Sequence, residues 1–316
     1  MTDNDKQSTS GYTDDISREP DFAAAYNDGG FSNINEYYVS QSGYTRMFTA
    51  VRYGKRYVLK CLKRDFLYTP VYRQALRKEF EIGLQLDHPG ICRTISMEKV
   101  GELGDCIVME YIDGEPLETF VVSGRLTAEL VSKIIAQLLD ALEYMHGKQI
   151  VHRDIKPSNI MLTNKGKNVE LVDFGLSDSD SFCVLKQPAG TRGYMAPEQL
   201  LPGAMSDTRA DIYSFGKVVE YMAWAVRSKR LMSIGKSCAC DDISRRPADI
   251  AQVRLLMKKA SRWLAVVNML LAVVAVALML AIWMMTHGRQ SAESHLQQDS
   301  SMHYGGNEVV SSDCWK

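Results

Sequence analysis

What this sequence does not carry narrows its class before any motif is read. No charge of one sign is in excess: 37 Lys and Arg stand against 38 Asp and Glu, a formal net charge of -1. The bulk balance therefore gives no reason to expect a nucleic-acid partner. Cysteine is sparse and scattered, and of the seven only Cys238 and Cys240 lie close together, with no second pair to complete a tetrahedral zinc site. Reduced thiols buried in apolar runs are the expectation. No internal repeat is visible. The N-terminal MTDNDKQSTSGYTDDISREP lacks the basic start and apolar core of a signal peptide, so the domain that follows is expected in the cytosol. Residues 1–34 have few large apolar side chains to offset ordering entropy and are expected to form a disordered acidic tail.

What is present begins with size: 316 residues, 46% of them hydrophobic, can build one large two-lobed domain. One apolar run stands out. Trp263 to Met285 carries no charged residue, and at 1.5 Å per residue it is long enough to cross a hydrocarbon layer of ~30 Å. A single transmembrane helix over 263–285 is the expectation, with the lipid bilayer as partner. Lys258, Lys259 and Arg262 lie in the basic linker 258–262, whereas the far side offers only His287 and Arg289 before acidic and neutral residues. The excess of cations on one flank predicts a single-pass protein, its N-terminal domain cytoplasmic and its short polar tail, 286–316, on the far side. Asn268 offers a hydrogen bond to a second copy and Ala277 with Ala281 a small-residue pair for a homodimer, the alternative being a single tolerated polar residue.

The first third of the chain reads as strands. The runs EYYV from Glu36, RMFTAV and RYVLKCL, with Tyr53-Gly54-Lys55 as a tight turn, predict an antiparallel meander. Helical spacing through Val71, Ala75, Leu76, Phe80, Ile82 and Leu86 stops at Asp87-His88-Pro89-Gly90. Two more strand-like runs, Cys92 to Val100 and Cys106 to Tyr111, flank a turn at Gly101 to Gly104. Thr127 then caps a long amphipathic helix through Leu130, Ile134, Leu138, Leu142 and Met145, closed by Gly147. Mixed loops and helices follow to about residue 250.

Directly after that helix stands His152-Arg153-Asp154-Ile155-Lys156-Pro157-Ser158-Asn159, which resembles the catalytic loop H-R-D-x-x-x-x-N of the protein-kinase family. Phosphoryl transfer needs a carboxylate for the hydroxyl proton and oxygen ligands for a divalent cation. The resemblance assigns Asp154 as base, Asn159 as metal ligand and Lys156 to the γ-phosphate. Nineteen residues after Asp154, Asp173-Phe174-Gly175 supplies a second metal ligand, Asp173, and Gly190 to Glu198 is similar to the end of an activation segment. Tyr57-Val58-Leu59-Lys60 resembles the strand whose lysine anchors ATP. Counting ten residues back from Pro89 selects Glu79 over Glu81 as the partner of Lys60. Val108 to Ile112 resembles the hinge, with Glu110 and Ile112 holding adenine behind Met109. Asp211 to Gly216 and Arg245-Arg246-Pro247 match fold-supporting elements, Asp211 holding the catalytic-loop backbone and Arg246 pairing with Glu198.

The resemblance covers residues 36 to about 257 and implies an α+β, two-lobed protein-kinase fold: an N-lobe, 35–111, with a small antiparallel sheet and one helix, and a mainly helical C-lobe, 112–257. It further implies ATP with Mg²⁺, Mn²⁺ being an alternative, and a protein substrate offering Ser or Thr, because Lys-Pro-Ser-Asn and Thr191 before Tyr194 resemble serine/threonine kinases. Ser177, Ser179 and Ser181 are candidate phosphosites. The pattern breaks at the phosphate-covering loop, where G-x-G-x-x-G-x-V is replaced by Ser40-Gln41-Ser42-Gly43-Tyr44-Thr45-Arg46-Met47. Ser40, Ser42 and Gly43 are then expected to face the phosphates, and the alternative is a membrane-tethered pseudokinase scaffold with weak or no turnover. A second break is length, since Asp211 and Arg245 stand only 34 residues apart. Trp224 to Ile234, with Arg227, Lys229 and Arg230, reads either as a basic surface near the bilayer or as a solvated helix end.

Overall fold

Strand alternation and one tight turn build the N-terminal sheet. The computed structural model describes residues 30–40, 43–174, 193–200, 207–258 and 269–285. Strands β1 (Ser32–Val39), β2 (Thr45–Arg52), β3 (Lys55–Leu62), β4 (Thr94–Val100) and β5 (Gly104–Glu110) pair antiparallel in the order β1-β2-β3-β5-β4. The β2–β3 hairpin closes on the pair Arg52 and Lys55, with Tyr53 at φ 51° and Gly54 at φ 74° between them. Two left-handed residues in a row match the twist of the flanking strands. The first strand begins at Ser32, four residues before the run EYYV, and Phe31 is already buried against Phe48, Ala50 and Leu59.

Helix α1 (Pro70–Gly83) packs on one face of this sheet, burying Ala75 and Leu76 among Val58, Leu62, Ile107 and Met109. Side chains alternate along β3, so Lys60 shares the α1-facing side with Val58 and Leu62, while Leu59 and Cys61 point into the opposite cluster. The helix stops at Gly83, short of the Leu86 that periodicity includes. A Cβ at Gly83 would collide with the Thr94 side chain, and Leu86 reaches the core from the turn that follows.

The C-terminal part is organised by α3 (Ala128–Gly147), whose first turn is capped by Thr127 Oγ1 accepting from Leu130 N at 3.2 Å. Val131, Ile134, Ile135, Leu138, Leu142 and Met145 form its buried stripe. The left-handed residue that turns the chain is Gln149 (φ 60°), two positions beyond Gly147. The short helix α2 (Leu117–Val122) and the sheet β6 (Gly114–Pro116), β7 (Ile160–Thr163) and β8 (Val169–Leu171) lie alongside. Helices α4 (Arg209–Ala225) and α5 (Lys229–Cys238) meet backbone to backbone, because a Cβ on Gly216 would lie 2.7 Å from Gly235 O and 2.6 Å from Ala239 N.

The chain divides into two compact units, Met1–Arg254 and Leu255–Lys316. In the second, a helix covers 269–285. Among the described residues no helix is long and apolar enough to cross a membrane, and residues 263–268 of the expected span lie outside the described ones.

Candidate active site

Three separate segments meet at Lys60. Its ammonium is fully buried and ion-paired with Glu79 of α1, and it donates to Asp173 Oδ1, just beyond β8, at 2.8 Å. A cation removed from water is tolerable there because two carboxylates replace its hydration. Glu81 is exposed on the other side of α1, so counting back from Pro89 selects the residue that the fold brings to Lys60.

Asp154 is buried at the next position along the floor of the site. Its Oδ2 accepts from Lys156 Nζ at 2.7 Å and from Asn159 Nδ2 at 3.0 Å, and the same amide donates to Asp154 O at 2.9 Å. Its other oxygen, Oδ1, is buried with no hydrogen-bond partner among the described residues. Buried acceptors are normally satisfied, so this atom is held ready for a group that the polypeptide does not supply. The backbone of Val172 donates to Asn159 O at 3.0 Å, which sets Asp173 beside Asn159.

The loop carrying Asp154 is fastened from beneath by Asp211, which has no exposed surface. Its Oδ2 accepts from His152 N and its Oδ1 from Arg153 N, both at 2.8 Å. His146 Nε2, in the last turn of α3, lies 2.9 Å from Oδ2. Burial by itself would raise the Asp211 carboxyl, but the hydrogen bond and charge of His146 and the His152 amide hold it below its ordinary value of 3.8. Asp211 is legible from sequence; His146 is missed, and its one signal is a polar residue at the end of an otherwise apolar helix face. Arg153 (φ 66°) and Asp173 (φ 68°) both sit in the left-handed region, at about 1–3 kcal/mol each for non-glycine residues. Such strain persists only where the surroundings over-determine it, and here the Asp211 bonds and the packing of buried Phe174 on His152, ring centroids 5.3 Å apart, do so.

A second brace joins Arg246 to Glu198 through two parallel bonds of 2.6 and 2.7 Å. Gln199 adds a link that no motif announces: its Oε1 accepts from Ala196 N at 3.0 Å and its Nε2 donates to Arg153 O at 3.3 Å. At the expected hinge, Met109 is buried, but Glu110 N already donates to Arg93 O at 3.0 Å. Any adenine contact at the Glu110 backbone is thereby left to its carbonyl, which also accepts a long 3.6 Å contact from the Cys92 thiol. Ile112 stands half-buried beside this cluster.

In the phosphate-covering loop a serine and a glycine are tied together. Ser40 Oγ accepts from Gly43 N at 2.9 Å, and a Cβ on Gly43 would lie 2.5 Å from that oxygen. Close approach of Ser40 therefore requires the glycine, and the acceptor side of the Ser40 hydroxyl is used within the loop. Tyr44 turns inward, 1% exposed, its ring 5.1 Å from Tyr72 of α1. Ser42, Gly175, Gly190, Thr191, Ser177, Ser179 and Ser181 lie outside the described residues.

No group of three or more His, Cys, Asp or Glu poised for a metal exists among the described residues. Asn159 and Asp173 together offer two oxygen donors, the incomplete hard-oxygen set that Mg²⁺ takes when phosphates fill the remaining positions. The residues present fit that ion.

Comparison with known proteins agrees with this geometry. A family model described as "Protein kinase domain" matches residues 41–251. A probable serine/threonine-protein kinase of Streptomyces coelicolor is 38% identical over 177 residues, 52% of this chain and 26% of the relative. Serine/threonine-protein kinase PknA of Mycobacterium tuberculosis is 33% identical over 195 residues, 58% of this chain and 44% of the relative. The chain thus spans less than half the length of these relatives. The crystal structure of the Mycobacterium tuberculosis PknI kinase domain shares the fold, with a TM-score of 0.57 at 21% identity, covering 74% of this chain and 97% of that one. With the model matching well over half of its residues, the chain belongs to the protein kinase family.

Proposed function

We propose that this chain transfers the γ-phosphoryl group of ATP to a serine or threonine hydroxyl of a protein substrate. The observation that carries the reading is the pairing of a buried Lys60–Glu79–Asp173 cluster with an Asp154 oxygen left without a partner among the described residues. In this reading Asp154 Oδ1 accepts the hydroxyl proton as the substrate oxygen bonds to the γ-phosphorus and the bond to ADP breaks. Lys156, paired to Asp154, offsets charge on the transferring group. Lys60, oriented by Glu79, neutralises the α- and β-phosphates, and the backbone at Glu110 and Ile112, behind Met109, holds adenine. Asn159 and Asp173 would hold Mg²⁺, which supplies charge neutralisation at the phosphates when bound. Ser40 and Gly43 shape the cover over the phosphates through their mutual hydrogen bond, with Ser42 between them in sequence. The test is phosphosite mapping after incubation with ATP and Mg²⁺, parent against Asp154→Asn. Phosphoserine or phosphothreonine formed by the parent alone supports the reading; no transfer and no Mg²⁺-ATP thermal shift would leave a scaffold in its place.

The same proposal includes an anchor. The uncharged run 263–285 and its basic flank 258–262 support a single membrane span with the kinase domain, 35–257, on the cytoplasmic side and the tail 286–316 beyond it. Ala277 and Ala281, four residues apart on one side of a helix, would then offer a small-residue contact to a second copy in the bilayer. Alkaline carbonate extraction tests the span, and protease added to intact cells tests its direction: digestion of the kinase domain from outside refutes the orientation.

A further inference from the structure

We propose that the corner between α4 and α5 is a docking surface for an anionic lipid bilayer, with a hollow beside it that takes lipid phosphate groups. Trp224, in the last turn of α4, is 71% exposed, an unusual position for a large aromatic ring and one suited to the headgroup layer of a membrane. From Trp224 to Cys240 the chain carries Arg227, Lys229, Arg230 and Lys236 and not one Asp or Glu. Lys229, Lys236 and Arg245 line a surface hollow together with the hydroxyls of Ser233 and Ser237. Three cations and two hydroxyls facing one space suit a phosphate monoanion or diester.

Of the acidic groups near this face only Glu220 is ion-paired, with Lys217 at 2.8 Å. Asp242 Oδ1 accepts from Ser244 N at 2.9 Å and also feels the charge of Arg245, and Asp241 Oδ1 accepts from Tyr213 Oη at 3.4 Å, so two carboxylates offset part of the positive charge at the Arg245 end. Arg227, Lys229 and Lys236 enter no salt bridge among the described residues. The corner is also stiff. Gly216 and Gly235 bring the two helices into backbone contact, and Ser228 Oγ caps α5 by accepting from Leu231 N at 3.3 Å. A rigid basic platform bearing one exposed indole matches a flat anionic surface better than a deep ligand cleft.

A bilayer is the occupant argued for because chain length places one nearby. Only residues 258–262 separate the kinase region from the uncharged run, at most about 18 Å of extended chain. Each cation close to an anionic leaflet strengthens attachment about fivefold, and the attraction is screened by salt. This surface goes beyond the proposed phosphoryl transfer; the choice of a bilayer as its occupant rests on the proposed anchor, while its charge and exposed indole are independent of it.

The test is hydrogen exchange of the full chain with vesicles of phosphatidylcholine alone or mixed with phosphatidylglycerol, with carbonate extraction reading the anchor separately. The expected result is exchange over 224–240 slowed about fivefold or more by the anionic lipid. Lys229→Glu with Lys236→Glu should abolish the slowing, as should molar salt on the unaltered chain, which needs no variant to fold. Equal exchange in both vesicles overturns the proposal, as does protection that survives salt and charge reversal. Equal protection from inorganic phosphate with neutral vesicles also overturns it, in favour of a small-anion site. Failure of carbonate extraction to retain the chain, with the lipid-dependent protection intact, would refute the anchor alone.

Discussion

The floor and the roof of the site are held in different ways. Beneath, Asp154 is fixed by residues drawn from across the chain: Asp211 grips His152 and Arg153 from 58 or 59 residues away, His146 backs Asp211, and Gln199 reaches Arg153 from 46 residues away. Above, Ser40 is held by near neighbours in sequence, its Oγ by Gly43 N and its N by Thr45 O, while Tyr44 is tied further off, its O accepting from Lys63 N at 2.8 Å and its ring lying 5.1 Å from Tyr72. Long-range side-chain bonds to backbone tie a loop to the global fold, so its geometry fails only when the domain fails. The loop that keeps the family pattern is held by side chains gripping its backbone, and the loop that departs from it is held by one serine–glycine bond and one buried ring.

The comparison is sharpened most by attacking the floor. Asp154→Asn should lower the rate of transfer by about 10²–10⁴-fold while ATP affinity stays within a few-fold, because the carboxylate meets the acceptor and not the nucleotide. Initial rates and ATP titration check this, and equal rates would remove Asp154 from its role. Lys60→Met should abolish transfer and cost about 3–5 kcal/mol of stability, since it leaves Glu79 facing Asp173 without their shared cation. Denaturant unfolding of parent and variant measures it, and a change below about 1 kcal/mol would mean the cluster is solvated.

Asp211 yields a pH prediction with a defined sign. Its folded value is depressed below 3.8, so its stabilisation is fully present above that pH and is lost as pH falls through the lower folded value. Thermal melting of parent and Asp211→Asn should show a gap that is constant above about pH 5 and closes in acid below 3.8. A gap unchanged in acid would place the depression elsewhere. The smallest effect is expected in the roof. Ser40→Ala removes one local hydrogen bond, worth about 0.5–1.5 kcal/mol, so apparent ATP affinity should change about tenfold or less. A loss as large as that from Lys60→Met would erase the distinction between floor and roof.

Much of the site was readable because its chemistry is concentrated in short contiguous runs. The loop from His152 to Asn159, the Asp173 segment and Lys60 within alternating strand β3 each announce themselves by residue type and spacing. Element edges were less legible. The helix α1 ends at Gly83, where Thr94 of β4 lies too close for any Cβ, a contact that no count of periodicity contains. That Ser40 Oγ accepts from Gly43 N is not legible in sequence, because it depends on the local path of the loop, and it leaves the Ser40 hydroxyl proton free to donate.

By itself, then, the amino-acid sequence determined the antiparallel meander, the Thr127-capped helix and the basic, acid-free stretch after Trp224, which follow from periodicity and composition and are local. Its resemblance to the kinase family, not its periodicity, pointed to Lys60, Glu79, Asp154, Asn159 and Asp173. Only the tertiary structure decided that His146 and Gln199 brace the catalytic loop, that Tyr44 turns inward onto Tyr72, and that Lys229, Lys236 and Arg245 share one hollow. Those outcomes depend on which distant side chains meet once α3, α4 and α5 pack, and such meetings are set by burial and by backbone approach at Gly216 and Gly235, not by the spacing of residues along the chain.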